Sequence, residues 1–299
     1  MKKITVMLIM IIGFLLIGSN AFASEIKNVN GINFSEKDLE NLRSIGYTDQ
    51  QLNLMAEEEY LANKDTKGEL VSSDIKYIKT IYPDENNLDE SITIELDKET
   101  FEAELEAELE AEENEMGTMA AKDEKSTEYL LLETQIFSIE YGKKYQLRNT
   151  ATWKKIPTTR RWDISGIGFG SQWQGLPETK YAKQMWTKCD TLNRCTDDYS
   201  DYGSSSSYWQ TNATGYAHKM NLPDNEGTQY VRNISSYALF QVQKISSTSS
   251  VSAYGHYSHQ KKNLNISPAF SVSGTAISVS PSDHYDSPLS THAYINIIN

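Results

Sequence analysis

Thr150–Gly170 reads TATWKKIPTTRRWDISGIGFG, and its alternation decides the fold class. Tyr145, Leu147, Ala151 and Trp153 share one face of an extended chain, with Gln146, Arg148, Thr150, Thr152 and Lys154 on the other, which is the period of a half-buried strand. Pro157 cannot donate to a ladder, so it ends the strand and turns the chain through Thr158 and Thr159. Trp162, Ile164 and Gly166 then resume the alternation. The glycines of the GIGFG run do not open a helix, as a phosphate loop must, because Ser171, Gln172 and Gly175 continue as loop. The run is expected to be a bulged or bent strand.

Downstream the same signature repeats. Ala238, Phe240 and Val242 alternate with Gln241 and Gln243; Leu264 and Ile266 with Asn265 and Ser267; Ala293, Ile295 and Ile297 with Tyr294 and Asn296. Short polar turns separate the segments, and no helical period of useful length intervenes. The expected fold is mainly β, a C-terminal antiparallel β-sandwich with a β-barrel as the alternative, preceded by a small acidic α/β N-terminal unit. All five tryptophans and most of the 18 tyrosines lie from Tyr129 onward, where they fill or rim the sheets.

Upstream the composition changes. Met1–Ala23 has Lys2 and Lys3, an apolar run from Ile4 to Ile17 and Ala21-Phe22-Ala23 before Ser24, the pattern of a cleaved secretory signal peptide. No later stretch is apolar for the roughly 18 residues that a membrane helix needs. The net charge of −13 divides unevenly: Ser24–Glu128 holds 29 acidic against 10 basic residues, and the rest of the mature chain 12 against 16. The expected division is a signal peptide at 1–23, an acidic helical and hairpin unit with a linker at 24–121, and the antiparallel β domain at 122–299. Neither part carries the basic cluster that nucleic acid requires.

Within the acidic unit, Ser35 caps a helix that Gly46 ends, and Thr48 with Gln51 starts a second helix running through Leu52, Met55 and Tyr60. Leu42-x-x-Ile45-Gly46-Tyr47 resembles the Gly-aromatic turn of ubiquitin-associated-type bundles over some fifteen residues, and a helical hairpin packed on its own chain is preferred. Ile75–Ile81 and Ile92–Leu96 flank the turn residues Pro83–Asn87 as a β-hairpin. Phe101–Glu115, FEAELEAELEAEENE, is helical by its four-residue repeat, either a solvated spacer or an acidic arm lying on Lys154, Lys155, Arg160 and Arg161. Gly117–Ser126 reads as a linker.

The two cysteines, Cys189 and Cys195, are expected to pair across the Asp190–Arg194 loop, since export favours a disulfide and no C-x-x-C spacing is present. His256 and His259, three apart on a strand, face opposite ways. Asp283, His284 and Asp286 form the one weak metal or general-base candidate, against a plain polar turn before Pro288. No G-x-S-x-G or H-E-x-x-H motif occurs, and no cofactor is called for.

ATWKKIPTTRRWDISGIGFG, together with LRSIGYTDQQLNLMAEEEY, resembles a group of secreted Gram-positive bacterial proteins without an assigned activity. The resemblance implies export and a two-part layout, and carries over no catalytic residue. Three readings of function follow. The preferred one is a noncatalytic extracellular binding module for a cell-wall glycan or protein partner, with Trp153, Trp162, Trp173 and Trp209 as the candidate contact residues against the rival that they are core. The others are a secreted toxin with an acidic pro-region, its Ser/Thr/Tyr-rich strands rearranging at a membrane, and an Asp-dependent hydrolase.

Overall fold

The computed structural model describes residues 26–84, 90–115, 126–204, 207–262, 267–286 and 289–297. The signal-peptide reading of 1–23, almost all of the 117–126 linker, the Asn86–Asn87 turn, Leu264, Ile266 and Pro288 lie outside the described residues.

The N-terminal part begins with β1 (Ile26–Lys27) paired to β2 (Asn33–Phe34), then α1 (Glu36–Ser44), α2 (Asp49–Asn53) and α3 (Glu57–Asn63). Ser35 and Thr48 cap α1 and α2 through capping boxes closed by Asp38 and Gln51, and Gly46 takes φ +92° between them. The second predicted helix does not run on to Tyr60. Asn28 Nδ2 donates to the carbonyls of Leu52 (3.1 Å) and Met55 (2.9 Å), and Lys183 Nζ to that of Leu54 (2.6 Å). These acceptors would otherwise serve the next helical turn, so the helix breaks into α2 and α3.

Two open antiparallel sheets follow. The larger takes the order β4 (Ile92–Leu96), β3 (Glu69–Tyr82), β5 (Ser126–Glu140), β6 (Lys144–Lys155), β12 (Tyr230–Lys244), β8 (Trp173–Cys189), β9 (Cys195–Asp201). The smaller runs β10 (Trp209–Asn212), β11 (Gly215–Asn221), β7 (Trp162–Phe169), β13 (Ser250–Ser258), β16 (Leu289–Asn296). Neither closes on itself, so the architecture is a sandwich and not the barrel held as its alternative. The inward set of the alternation forms the core: Leu147, Ala151 and Trp153 of β6, with Ala238, Phe240 and Val242 of β12, meet Ile167 and Phe169 of β7 and Val251 and Ala253 of β13. Burying each such side chain contributes about 1.5–3 kcal/mol.

The acidic segment is built into this sandwich, which departs from the two-unit expectation. Every residue from Tyr77 to Tyr82 of β3 pairs with β5, and Ile32, Phe34, Leu42, Ile45, Tyr47, Leu52 and Met55 pack on the outward residues Tyr181, Met185, Tyr237 and Leu239 of the large sheet. Beneath them lies a buried charged layer. Lys183 Nζ is 2.9 Å from Glu59 and 3.2 Å from Asp201, Tyr237 donates to Glu59, and Arg148 donates to Gln51 (2.5 Å) with its guanidinium over the Tyr237 ring. α4 (Lys98–Glu115) lies over β3 and β5, with Phe101 buried between Tyr77 and Tyr129. Its Glu108 pairs with Lys79 (2.8 Å) and Lys155 (3.1 Å). Among the described residues the acidic arm meets Lys155, while Arg160 pairs with Asp224 at 3.3 Å.

A further two-stranded sheet, β14 (Ala269–Ser273) with β15 (Ala276–Ser280), lies outside the small sheet. Phe270, Val272, Ile277 and Val279 point inward onto Ile164, Ala217 and Tyr285, while Ser271, Ser273, Ser278 and Ser280 are exposed. This hairpin accounts for one glycine of the GIGFG run, Gly168. β7 pairs with both neighbours without a register shift, so it carries no bulge. The glycines clear the outer face instead: Gly215 lies against Val272, and Gly168 against the backbone of Gly274 at the hairpin tip.

Candidate aromatic binding face and the buried cluster beneath it

Trp162 and Asp163 are consecutive on β7 and therefore point to opposite faces. Outward, the Trp162 indole stacks on Tyr208 with centroids 6.0 Å apart and planes 29° from parallel. Lys219 of β11, opposite Ile164 in the ladder, carries its ammonium 5.3 Å from the Trp162 centroid and 5.7 Å from that of Tyr208. Trp162 is partly exposed and Tyr208 is 37% exposed, so two stacked, roughly parallel rings and a cation share a solvent-facing surface.

Inward, Asp163 is fully buried. It accepts from Tyr257 OH (2.5 Å) and from the Gln260 amide (3.1 Å), and it faces His259 Nδ1 at 2.9 and 3.0 Å. On the other side of the imidazole, Nε2 stands 3.9 Å from Glu128 of β5. Glu128 accepts from Tyr82 OH (3.0 Å) and the Thr158 amide (3.1 Å), and Asp286 accepts from Ser91 Oγ (3.1 Å). Burial opposes the charge on His259, and the neighbouring Asp163 and Glu128 carboxylates reverse that, raising it to about 10. Burial pushes Glu128 up. The cluster therefore holds the His259 ring between acidic side chains of both sheets, Asp163 of β7 and Glu128 of β5, sealed from solvent. Its chemistry here is a polar rivet between layers.

The other tryptophan candidates are in the core. Trp153, Trp173 and Trp209 are 5%, 1% and 7% exposed, and each indole N–H is used internally: Trp153 to Tyr257 OH (3.1 Å), Trp173 to the Ser250 carbonyl (3.0 Å), Trp209 to the Tyr202 carbonyl (2.6 Å). A ring with its polar atom satisfied inside the fold presents no stacking face. Of the four candidates only Trp162 is not buried. Cys189 and Cys195 form the expected disulfide, directly opposite each other on β8 and β9.

Asp283, His284 and Asp286 do not converge. His284 Nε2 is 3.5 Å from the exposed Asp283, whereas Asp286 turns inward to Ser91 and Tyr82. Among the described residues no group of three His, Cys, Asp or Glu side chains is placed to hold a metal ion. Two features were missed from sequence. Asp163 sits on the inward face of a strand, where an acid needs a buried partner, and that pattern was a usable signal. Tyr208 lies in a polar loop and gave none.

No family model matches the chain, and no curated protein matches it significantly. Among solved structures, one described as a pore forming protein shares 6% identity over 56% of this chain and 87% of its own, with a TM-score of 0.29. The KRT10-binding region domain of the pneumococcal serine rich repeat protein PsrP shares 12% over 44% and 77%, with a TM-score of 0.25. A structure described as BspA_C_mut shares 7% over 84% and 88%, with a TM-score of 0.28. Likeness at this level leaves function to the geometry of the chain itself.

Proposed function

We propose that the chain is an exported, noncatalytic binding protein whose contact surface is Trp162 and Tyr208 with Lys219 beside them, and whose ligand is a cell-wall glycan. The observation that carries this reading is the stacked pair itself. Four of the five tryptophans are buried, and the fifth stays partly exposed, braced flat by a tyrosine and a lysine on the outside of a sheet. Flat aromatic surface recognises the apolar faces of sugar rings, and a rigid sheet fixes it at low entropic cost. Export rests on the Met1–Ala23 pattern and on the resemblance to secreted Gram-positive proteins, and the disulfide suits an oxidising compartment.

The test is sedimentation with purified, protein-stripped cell-wall sacculi. Trp162→Ala and Tyr208→Ala should each weaken binding while leaving the melting temperature nearly unchanged. Equal binding by both variants and the parent would refute the assignment.

A further inference from the structure

The β14–β15 hairpin belongs to neither sheet, and the sequence around it differs from the rest of the chain. From Ser267 to Ser282 no residue is charged, in a protein with 23% charged residues. The alternation is complete: Phe270, Val272, Ile277 and Val279 on one side, Ser271, Ser273, Ser278 and Ser280 on the other. Its apolar side rests on a small patch of the small sheet, Ile164 and Ala217 with Tyr285. Few polar contacts hold it there. Gly274 N donates to the Thr214 carbonyl (3.1 Å), His256 Nε2 contacts the Gly274 carbonyl (3.2 Å), Asn212 donates to the Val272 carbonyl, and Thr214 and Ser273 share a hydroxyl contact (3.1 Å).

We propose that this hairpin is a lipid-docking element, which leaves its glycine-floored seat and lays Phe270, Val272, Ile277 and Val279 into the outer leaflet of a bilayer. A lipid surface fits better than a protein groove on chemical grounds. The exposed face offers only small hydroxyl and methyl groups, with no charge to select a protein partner and none to resist burial near headgroups. Arms of five residues at about 3.3 Å each reach about 17 Å, roughly half of a hydrocarbon core of about 30 Å. The hairpin is therefore too short to span; lying flat at the interface with its apolar face down, it keeps water and headgroups as partners for its two unpaired edges. The apolar side chains exchange one apolar contact for another. This inference goes beyond the glycan reading and does not depend on it.

The experiment uses the full chain and phosphatidylcholine vesicles containing phosphatidylglycerol. Single-cysteine variants Phe270→Cys, Ser271→Cys, Ile277→Cys and Ser278→Cys, labelled with a fluorophore, are mixed with vesicles carrying an acyl-chain quencher. Labels at 270 and 277 should be quenched and those at 271 and 278 should not. The variant Thr214→Cys/Ser273→Cys, once oxidised, ties the hairpin to its seat; it should lose vesicle binding and regain it on reduction, with the parent chain under the same reductant as control. Phe270→Ser should lower vesicle binding by about tenfold, and Trp162→Ala should not lower it. Since the hairpin is uncharged, high salt should leave binding intact. Absence of parent binding, equal quenching at all four positions, full binding by the oxidised variant, or loss of binding in salt would each overturn the proposal.

Discussion

A Cβ added to Gly168 would stand 1.7 Å from the carbonyl oxygen of Gly274, so the middle of β7 and the tip of the β14–β15 hairpin meet backbone to backbone. Gly168→Ala should lift the hairpin from its seat and cost about 1–3 kcal/mol, the usual penalty for overpacking. Urea denaturation reads the stability, and new proteolytic cleavage between 267 and 282 reports the lifting. Gly227→Ala is the contrast, with nothing within 4 Å of its added Cβ; it tests only the strain of φ +59°.

Lys183 and Glu59 are both fully buried, and they join the helices to the large sheet. Lys183→Met leaves the Glu59 carboxylate without its cation and should destabilise the fold by about 3–5 kcal/mol. Adding Glu59→Met should restore much of the loss, because a buried ion pair replaced by apolar groups is often close to neutral. Denaturation of the two single variants and the double variant measures this as a coupling energy.

Removing residues 24–121 should give a molten or aggregating product. The deletion strips β3 from β5, uncovers Tyr181, Met185, Tyr237 and Leu239, and leaves Lys183 and Arg148 without Glu59 and Gln51. Near-ultraviolet circular dichroism and gel filtration check it; a cooperatively melting monomer would refute it.

The alternation of the C-terminal strands made the sandwich legible, because period two survives whatever the register. Which face looks inward did not follow from it. Trp153 and Trp162 both sit on alternating strands, yet one closes the core and the other looks outward, since facing depends on how β6 and β7 stack across the layers. The integration of the acidic segment was hidden for a similar reason: composition reports charge, whereas the pairing of Ile78 with Leu130 joins residues on opposite sides of the 117–126 stretch. The Asp163–His259 contact spans 96 positions and leaves no local trace.

Two groups should give stability opposite pH signatures. Burial works against the Glu108 charge, but hydrogen bonds from Lys79, Thr127, Tyr129 and Lys155 outweigh it and lower the carboxyl to about 2. Its folded value is depressed, so its contribution is present above the ordinary glutamate value of 4.5 and is lost as pH falls through about 2. Hydrogen exchange across residues 98–111 should rise in that window, and Glu108→Gln should remove the dependence. His259 is raised, so its contribution is full below the ordinary histidine value of 6.5 and is lost as pH rises through about 10. Urea midpoints measured up to pH 10.5, about half a unit above that folded value, should fall for the parent and stay flatter for His259→Gln.

The last strand of the chain is tied to one of the first. Ser72 Oγ donates to the Tyr294 carbonyl (2.9 Å) and accepts from its amide (3.0 Å), and the His292 amide donates to Asp74 (2.7 Å). Side chains of β3 thereby occupy backbone groups on the outer edge of β16 that another chain could otherwise use for pairing. The arrangement sets an order of events. While the polypeptide is being made, the Ser72 and Asp74 side chains of β3 wait for partners more than two hundred residues behind them. A contact so distant in sequence forms slowly. Completion of the smaller sheet consequently waits until β16 has been made, whereas the strands of the larger sheet all precede Ser246 in the chain.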